Sequence, residues 1–396
     1  SADSLDLATI RQRATSLVSR LNEDDSPGPR RRYLTTQLQS LIARVELLEG
    51  ARLTFDEESQ ALYDAVAPTN SDEHFQRLLE ELTPLLPGDG TLAERYELFR
   101  QDFLIPQNKL ASVFEAAITE CRERSLRHLE LPSDESFEVE YVTDKSWSAY
   151  NWYQGGFHSL IQVNTDLPIY IDRAVDLACH EGYPGHHVYN VLLEKHLVRD
   201  RGWVEFSVYP LFSPQSLIAE GTANYGIRVA FPRDDRVTFE RDILFPKAGL
   251  DPTKAEHYYR VLEQVKKLKY AGNEAARGYL NGEIDASAAA ADATAPAAGG
   301  GGGGGGASTL VCNPDRGGGG GGGNIQDYLD ALTDPGFNLF DPVSAKELDR
   351  PELRGVRLTL SSENSDGSGL ELWGLWAKDG DNEFDAREGV APSRGN

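Results

Sequence analysis

Pro184-Gly185 separates His180-Glu181 from His186-His187, and this step rules out an unbroken helix through the segment. Proline lacks the amide that would bond the His180 carbonyl, and glycine enters backbone conformations closed to other residues. On a continuous helix the sixth residue after His180 would be rotated by roughly 240°. The seventh would return to within about 20° but sit about 10.5 Å further along the axis. Neither could share an ion with His180. A chain that turns back at Pro-Gly brings His186 or His187 to face it. Three of the eight histidines fall in this short segment, so it predicts a metal site rather than a capping turn flanked by partly exposed histidines.

Histidine followed at once by glutamate also opens the common zinc-hydrolase helix, in which two imidazoles four residues apart share the ion and the acid activates water. Here Pro184 occupies that fourth position and the second imidazole comes late. Two histidines need a third ligand, commonly a carboxylate, with one position left open. Glu220 is the best candidate. It lies in a predicted helix with Leu217, Ile218, Tyr225 and Val229 apolar, while Ala219, Gly221 and Ala223 let another helix approach closely. The alternative is an ordinary solvated glutamate. Asp176, one predicted turn before His180, either holds the other ring nitrogen or is an ordinary surface carboxylate. Cys179 abuts His180 and reads as a small apolar core residue. Cys121, Cys179 and Cys312 are scattered and odd in number, which suggests no disulfide framework and no cysteine-rich metal knuckle.

Ile161-Gln162-Val163-Asn164-Thr165, then Leu177-Ala178-Cys179 running into His-Glu-Gly-Tyr-Pro-Gly-His-His, then Glu220-Gly221 with Tyr225 resemble a bacterial family catalogued as domain of unknown function 885. That family is regarded as zinc metallopeptidases related in layout to the gluzincins. The resemblance covers about residues 147–232 and fades after about 285. The chain departs from the pattern at Thr222, where the family usually has Trp, and at Asn190, where Gln often stands. These departures leave the metal set intact and alter the expected pocket wall.

The resemblance implies one Zn2+ held by His180, His186 and Glu220, with His186 preferred to His187 because the pattern fixes the first histidine after Pro-Gly. It implies Glu181 as general base and then acid, on a peptide or small amide substrate. Tyr225, His187, His257 and Tyr258 are candidate donors to the oxyanion. Two histidines and a carboxylate also form the facial set of non-haem iron enzymes. A non-catalytic helical metal-binding protein is the other alternative. Glu181 argues against both, because hydrolysis needs a base beside the metal and the others do not.

The remaining sequence bounds the fold. A formal net charge of -24 argues against the basic footprint that nucleic acid or an anionic membrane requires. No membrane-length apolar span and no signal peptide are visible, so a cytoplasmic location is expected, while oligomeric state is not indicated. The chain contains no methionine. Helical spacing predicts helices over 5–21, 33–48, 56–66, 71–86, 92–103, 106–129, 171–183 and 253–281. Alternation predicts strands at 137–142 and 160–164, the second either offering an edge to extended substrate or lying inside a small sheet.

These elements predict an α+β protein, mainly α-helical, with a small β-element at a gluzincin-like zinc cleft. The expected regions are a helical scaffold or lid (1–130), a metal-site catalytic region (131–285), an Ala/Gly-rich linker or unassigned segment (286–325) and an acidic C-terminal segment (326–396). Within the last, Asp379–Glu383 has the start of a calcium-loop pattern, but Phe384 stands where glycine is required, so it reads as an acidic turn.

Overall fold

The computed structural model describes residues 6–23, 28–145, 147–232, 234–285 and 288–289, together with the strand backbones 353–361 and 369–377. The glycine runs, Cys312 and the acidic turn at 379–383 lie outside the described residues.

Helices dominate, as expected. The first six are α1 (Leu7–Glu23), α2 (Pro29–Leu48), α3 (Phe55–Tyr63), α4 (Asp72–Leu82), α5 (Leu92–Arg100) and α6 (Leu110–Ser125). Their starts follow local chemistry. Pro29 opens α2 where its missing amide costs nothing. Thr54 with Glu57 and Thr91 with Glu94 close reciprocal capping boxes on α3 and α5. The predicted 106–129 helix is shorter: a 3-10 turn, Gln107–Lys109, precedes α6.

Three strands follow, β1 (Ser136–Val142), β2 (Ala149–Gly155) and β3 (His158–Asn164), in the order β1-β3-β2. β1 runs parallel to β3 with Ser136 opposite His158, and β2 runs antiparallel with Ala149 opposite Val163. Gly155, Gly156 and Phe157 all adopt positive φ (78°, 61° and 67°), which makes the sharp β2–β3 connection. Because β3 is central, both of its edges are occupied. This decides for the internal strand over the substrate-pairing edge; among the described residues, the outer strands of this sheet are β1 and β2.

β3 leads into α7 (Ile171–Leu177), in which every residue is buried. Both carboxylates on α7 have partners. Tyr258 donates to Asp172 Oδ1 at 2.6 Å, and Arg236 donates to Asp176 Oδ1 at 2.6 Å. Beyond it lie α8 (His186–Leu193), α9 (Pro214–Ala230), α10 (Asp235–Phe239), α11 (Phe245–Ala248), α12 (Ala255–Leu268) and α13 (Ala271–Leu280). The last two replace the single predicted 253–281 helix. β4 (Leu353–Ser361) and β5 (Gly369–Ala377) form a separate antiparallel pair.

One buried apolar cluster extends from Phe75 on α4 through Phe103, Phe114, Ile171, Val175 and Tyr258 to Ala271. Helices on both sides of residue 130 therefore share a core, and α7 passes through it. Among the described residues, no helix is long and apolar enough to cross a membrane.

Candidate metal centre

The chain leaves α7 through a π-helical turn, Ala178–Gly182, and breaks at Tyr183-Pro184-Gly185 before α8 begins at His186. The Tyr183–Pro184 peptide is cis. The return is tight: Gly185 N–H donates to the Cys179 carbonyl at 2.8 Å, and Tyr183 N–H to that of Ala178 at 3.1 Å. A Cβ on Gly185 would lie 1.8 Å from the His180 carbonyl oxygen, so only glycine fits. Helix α9 packs onto the same corner, where a Cβ on its Gly226 would meet Pro184 Cγ at 2.8 Å. Ser213 caps α9 through the Ser216 amide, and Pro214 occupies the first turn.

This corner brings His180, His186 and Glu220 together. His180 Nε2 and His186 Nε2 are 3.1 Å apart. Glu220 places Oε1 3.1 Å from His186 Nε2 and Oε2 3.3 Å from His180 Nε2. One ligand atom from each residue lies within 4.8 Å of the others. Two ring nitrogens aimed at each other and at a carboxylate share a proton or a cation. Burial alone would lower the His186 pKa, but the Glu220 carboxylate raises it to about 9. Burial pushes Glu220 the other way, and His186 with His180 holds it far below the usual carboxylate range. Two nitrogens and one carboxylate are one donor set of catalytic zinc sites, so these residues could hold a metal ion and suit Zn2+ among others.

Glu181 is fully buried, and neither of its carboxylate oxygens has a hydrogen-bond partner among the described residues. Burial raises its pKa, with His180 and His186 acting in the opposite sense. Its backbone is held where Asn151 Nδ2 donates to the Glu181 carbonyl at 2.7 Å.

Other predicted residues lie elsewhere. His187 is fully buried away from the cluster. Its Nε2 meets Glu135 Oε2 at 2.9 Å, and its Nδ1 lies 2.8 Å from Ser159 Oγ. Glu135 also accepts from Tyr183 Oη at 2.6 Å and Arg122 Nη2 at 2.7 Å. Burial raises the Glu135 pKa, but His187, Tyr183 and Arg122 together bring it down to about 2. The serine, histidine and carboxylate are spaced like a hydrolytic triad, but all three are buried and form an internal brace.

Asp176 does not orient His180. It pairs with Arg236 at 2.6 Å and Arg173 at 3.5 Å, while Asn224 Oδ1 accepts from His180 Nδ1 at 3.2 Å. Tyr225 is 65% exposed and lies about 140° around α9 from Glu220. Tyr258 is buried with its hydroxyl on Asp172, and His257 packs edge-on against Phe99 with centroids 5.3 Å apart.

Two residues were missed by sequence reasoning. Asn224 follows Glu220 by one helical turn, a spacing visible in the sequence once α9 is assigned. Tyr209 had no such signal. Its hydroxyl donates to Ser216 Oγ at 3.3 Å, one helical turn before Glu220. Burial first, and the Glu220 carboxylate second, push the Tyr209 pKa well above its ordinary value.

No family model, curated protein or solved structure matches this chain.

Proposed function

We propose that this chain is a zinc-dependent hydrolase of amide bonds, a metallopeptidase of the type its motif resembles. The observation that carries the reading is Glu181: a fully buried carboxylate with both oxygens unpartnered, beside His180, His186 and Glu220. A buried unpaired acid is costly to keep, and a structural metal site has no use for one. Zn2+ bound by the three residues would supply Lewis acidity, lowering the pKa of water toward neutrality and polarising the substrate carbonyl.

The protein's own groups divide the remaining work. Glu181 takes a proton from the attacking water and passes it to the leaving nitrogen; its raised pKa brings it closer to the working pH. Asn151 fixes the Glu181 backbone. Asn224 holds His180 with Nδ1 protonated and Nε2 free to ligate. Tyr209, whose hydroxyl donates to Ser216 Oγ and feels the Glu220 carboxylate, is a better candidate than Tyr225 or His187 to turn its proton to the developing oxyanion.

The test combines metal analysis of protein purified without added metal with hydrolysis of a mixed peptide pool. Zinc near one equivalent and amide cleavage are expected. Glu181→Gln should retain the zinc and lose turnover by ~10²–10⁴-fold. Near-normal hydrolysis by Glu181→Gln removes the assigned base, while iron in place of zinc with no cleavage removes the hydrolase reading.

A further inference from the structure

Two sulfur atoms lie outside the metal cluster, one of them on the residue next to its first ligand. Cys121 is on α6, and Cys179 is the residue before His180; both are fully buried. Their Sγ atoms are 2.7 Å apart. A disulfide spans ~2.04 Å, so about 0.7 Å of movement joins them.

We propose that Cys121 and Cys179 form a reversible disulfide that controls how firmly the metal-binding turn is held. Both ends of this link are mechanically significant. The Cys179 carbonyl receives the Gly185 amide at 2.8 Å, so Cys179 sits at the base of the loop whose two limbs carry His180 and His186. Helix α6 is tied independently to the rest of the fold. Arg122 pairs with Glu135 at 2.7 Å, and Arg124 pairs with Asp235 at 2.9 Å and donates to the Ala230 carbonyl at 3.2 Å. A covalent bond would fasten the loop to this anchored helix. It would also join positions 58 residues apart, closing a loop that contains β1, β2, β3 and α7 and so restricting the unfolded chain.

The oxidant class is a peroxide. One thiolate attacks a peroxide oxygen, the O–O bond breaks, and a sulfenic acid and one water result. The second sulfur then displaces the sulfenic oxygen, which leaves as a second water with the remaining thiol proton. Two thiols are oxidised by two electrons, and one hydrogen peroxide is reduced to two waters. A dithiol reductant reverses the bond by exchange. Burial restricts the reaction to the folding stage or to transient parting of α6 from the turn, and it shields the bond once formed.

The crosslink itself stands apart from the zinc reading; its effect on metal release rests on that reading. The full chain is treated with hydrogen peroxide or with dithiothreitol, denatured, alkylated, digested and analysed by mass spectrometry. The expected result is a Cys121–Cys179 linked peptide after peroxide, and Cys121 and Cys179 both alkylated after reduction. The oxidised form should melt about 5 °C or more above the reduced form. It should also surrender zinc to a chelator at least tenfold more slowly, and Cys121→Ala should abolish the response to peroxide. Comparison of the oxidised and reduced parent needs no variant to fold.

Alkylation of both Cys121 and Cys179 after peroxide, or a link through Cys312, overturns the proposal. So does a Cys121–Cys179 link that leaves both melting and zinc release unchanged. If neither form binds zinc, the metallopeptidase reading fails, and the linked peptide with its melting shift still decides the crosslink.

Discussion

Gly185→Ala perturbs the corner on which the metal site depends, and its effect follows from two distances. A Cβ at this position meets the His180 carbonyl oxygen at 1.8 Å and that of Cys179 at 2.4 Å. Real Cβ atoms stay beyond 3.0 Å, so the limbs of the turn must part by at least 1.2 Å. Both obstacles are backbone atoms, and no side-chain rotation relieves them. Overpacking of this kind costs typically about 1–3 kcal/mol, which lowers the melting midpoint of the metal-free protein by roughly 3–10 °C.

The loss of metal should be larger. The ligand atoms lie within 4.8 Å of one another, and metal–ligand distances tolerate about ±0.2 Å. Parting His180 from the chain that leads to His186 should therefore weaken zinc binding at least ~100-fold, by analogy with the cost of ångström-scale misplacement. At fixed excess zinc, that removes about 2.7 kcal/mol of metal-conferred stability. Chelator competition and melting with and without zinc measure the two terms separately. Alanine keeps the amide that bonds Cys179, so loss of that hydrogen bond is not a confounder. A variant with parental zinc affinity and the parental zinc-induced rise in melting temperature would refute the reasoning.

Asn224→Ala removes the acceptor that orients His180 and should weaken zinc binding ~10–100-fold with little change in the metal-free melting temperature; unchanged affinity in chelator competition refutes that role. Tyr209→Phe should lower kcat by ~10²-fold with zinc stoichiometry and KM nearly intact, and steady-state kinetics on any cleaved peptide decides it. Glu135 titrates at about 2 in the fold against an ordinary carboxylate value of 4.5. Its pairing therefore contributes stability that is fully present above pH ~4.5 and is lost as pH falls from there toward 2. The melting difference between the parent and Glu135→Gln should thus be largest near neutrality and shrink through that window; a difference independent of pH contradicts it.

The metal corner was legible because its signals are local. A proline and a glycine between histidines force a return, and small residues around Glu220 mark a helix that comes close. What stayed hidden depended on phase or on distance along the chain. Asp176 precedes His180 by one turn of an ideal helix, but the π-helical turn at Ala178–Gly182 widens the spiral and shifts the phase at His180. Asp176 consequently meets Arg236, and Asn224 takes its expected place. His186 and His187 open α8 about 100° apart, so one reaches Glu220 while the other meets Glu135, 52 residues earlier in the chain. Tyr225 matched the family pattern, yet its position on α9 turns it to solvent. β2 escaped notice because Tyr150, Trp152 and Tyr153 interrupt any apolar–polar alternation. The break between α12 and α13 falls at Lys269-Tyr270, without proline or glycine at either position.

The order of the three strands has a consequence for assembly. β2 meets β3 across the sharp Gly155–Phe157 connection, whereas β1 must come from further away, pairing Ser136 with His158. Short loops close more readily than long ones, so the β2–β3 hairpin is expected to form first. Until β1 docks, the second edge of β3 presents Leu160, Ile161 and Val163 with unpaired backbone groups, a template on which a second chain could add a strand. The strand that covers it is Ser136-Phe-Glu-Val-Glu-Tyr-Val142, whose Glu138 and Glu140 remain exposed. At the opposite margin, β2 loses regular register between Tyr153 and Gly155. The sheet thus trades a vulnerable apolar edge for a charged one on one side and an irregular one on the other, which should discourage stacking of partly folded chains into aggregates.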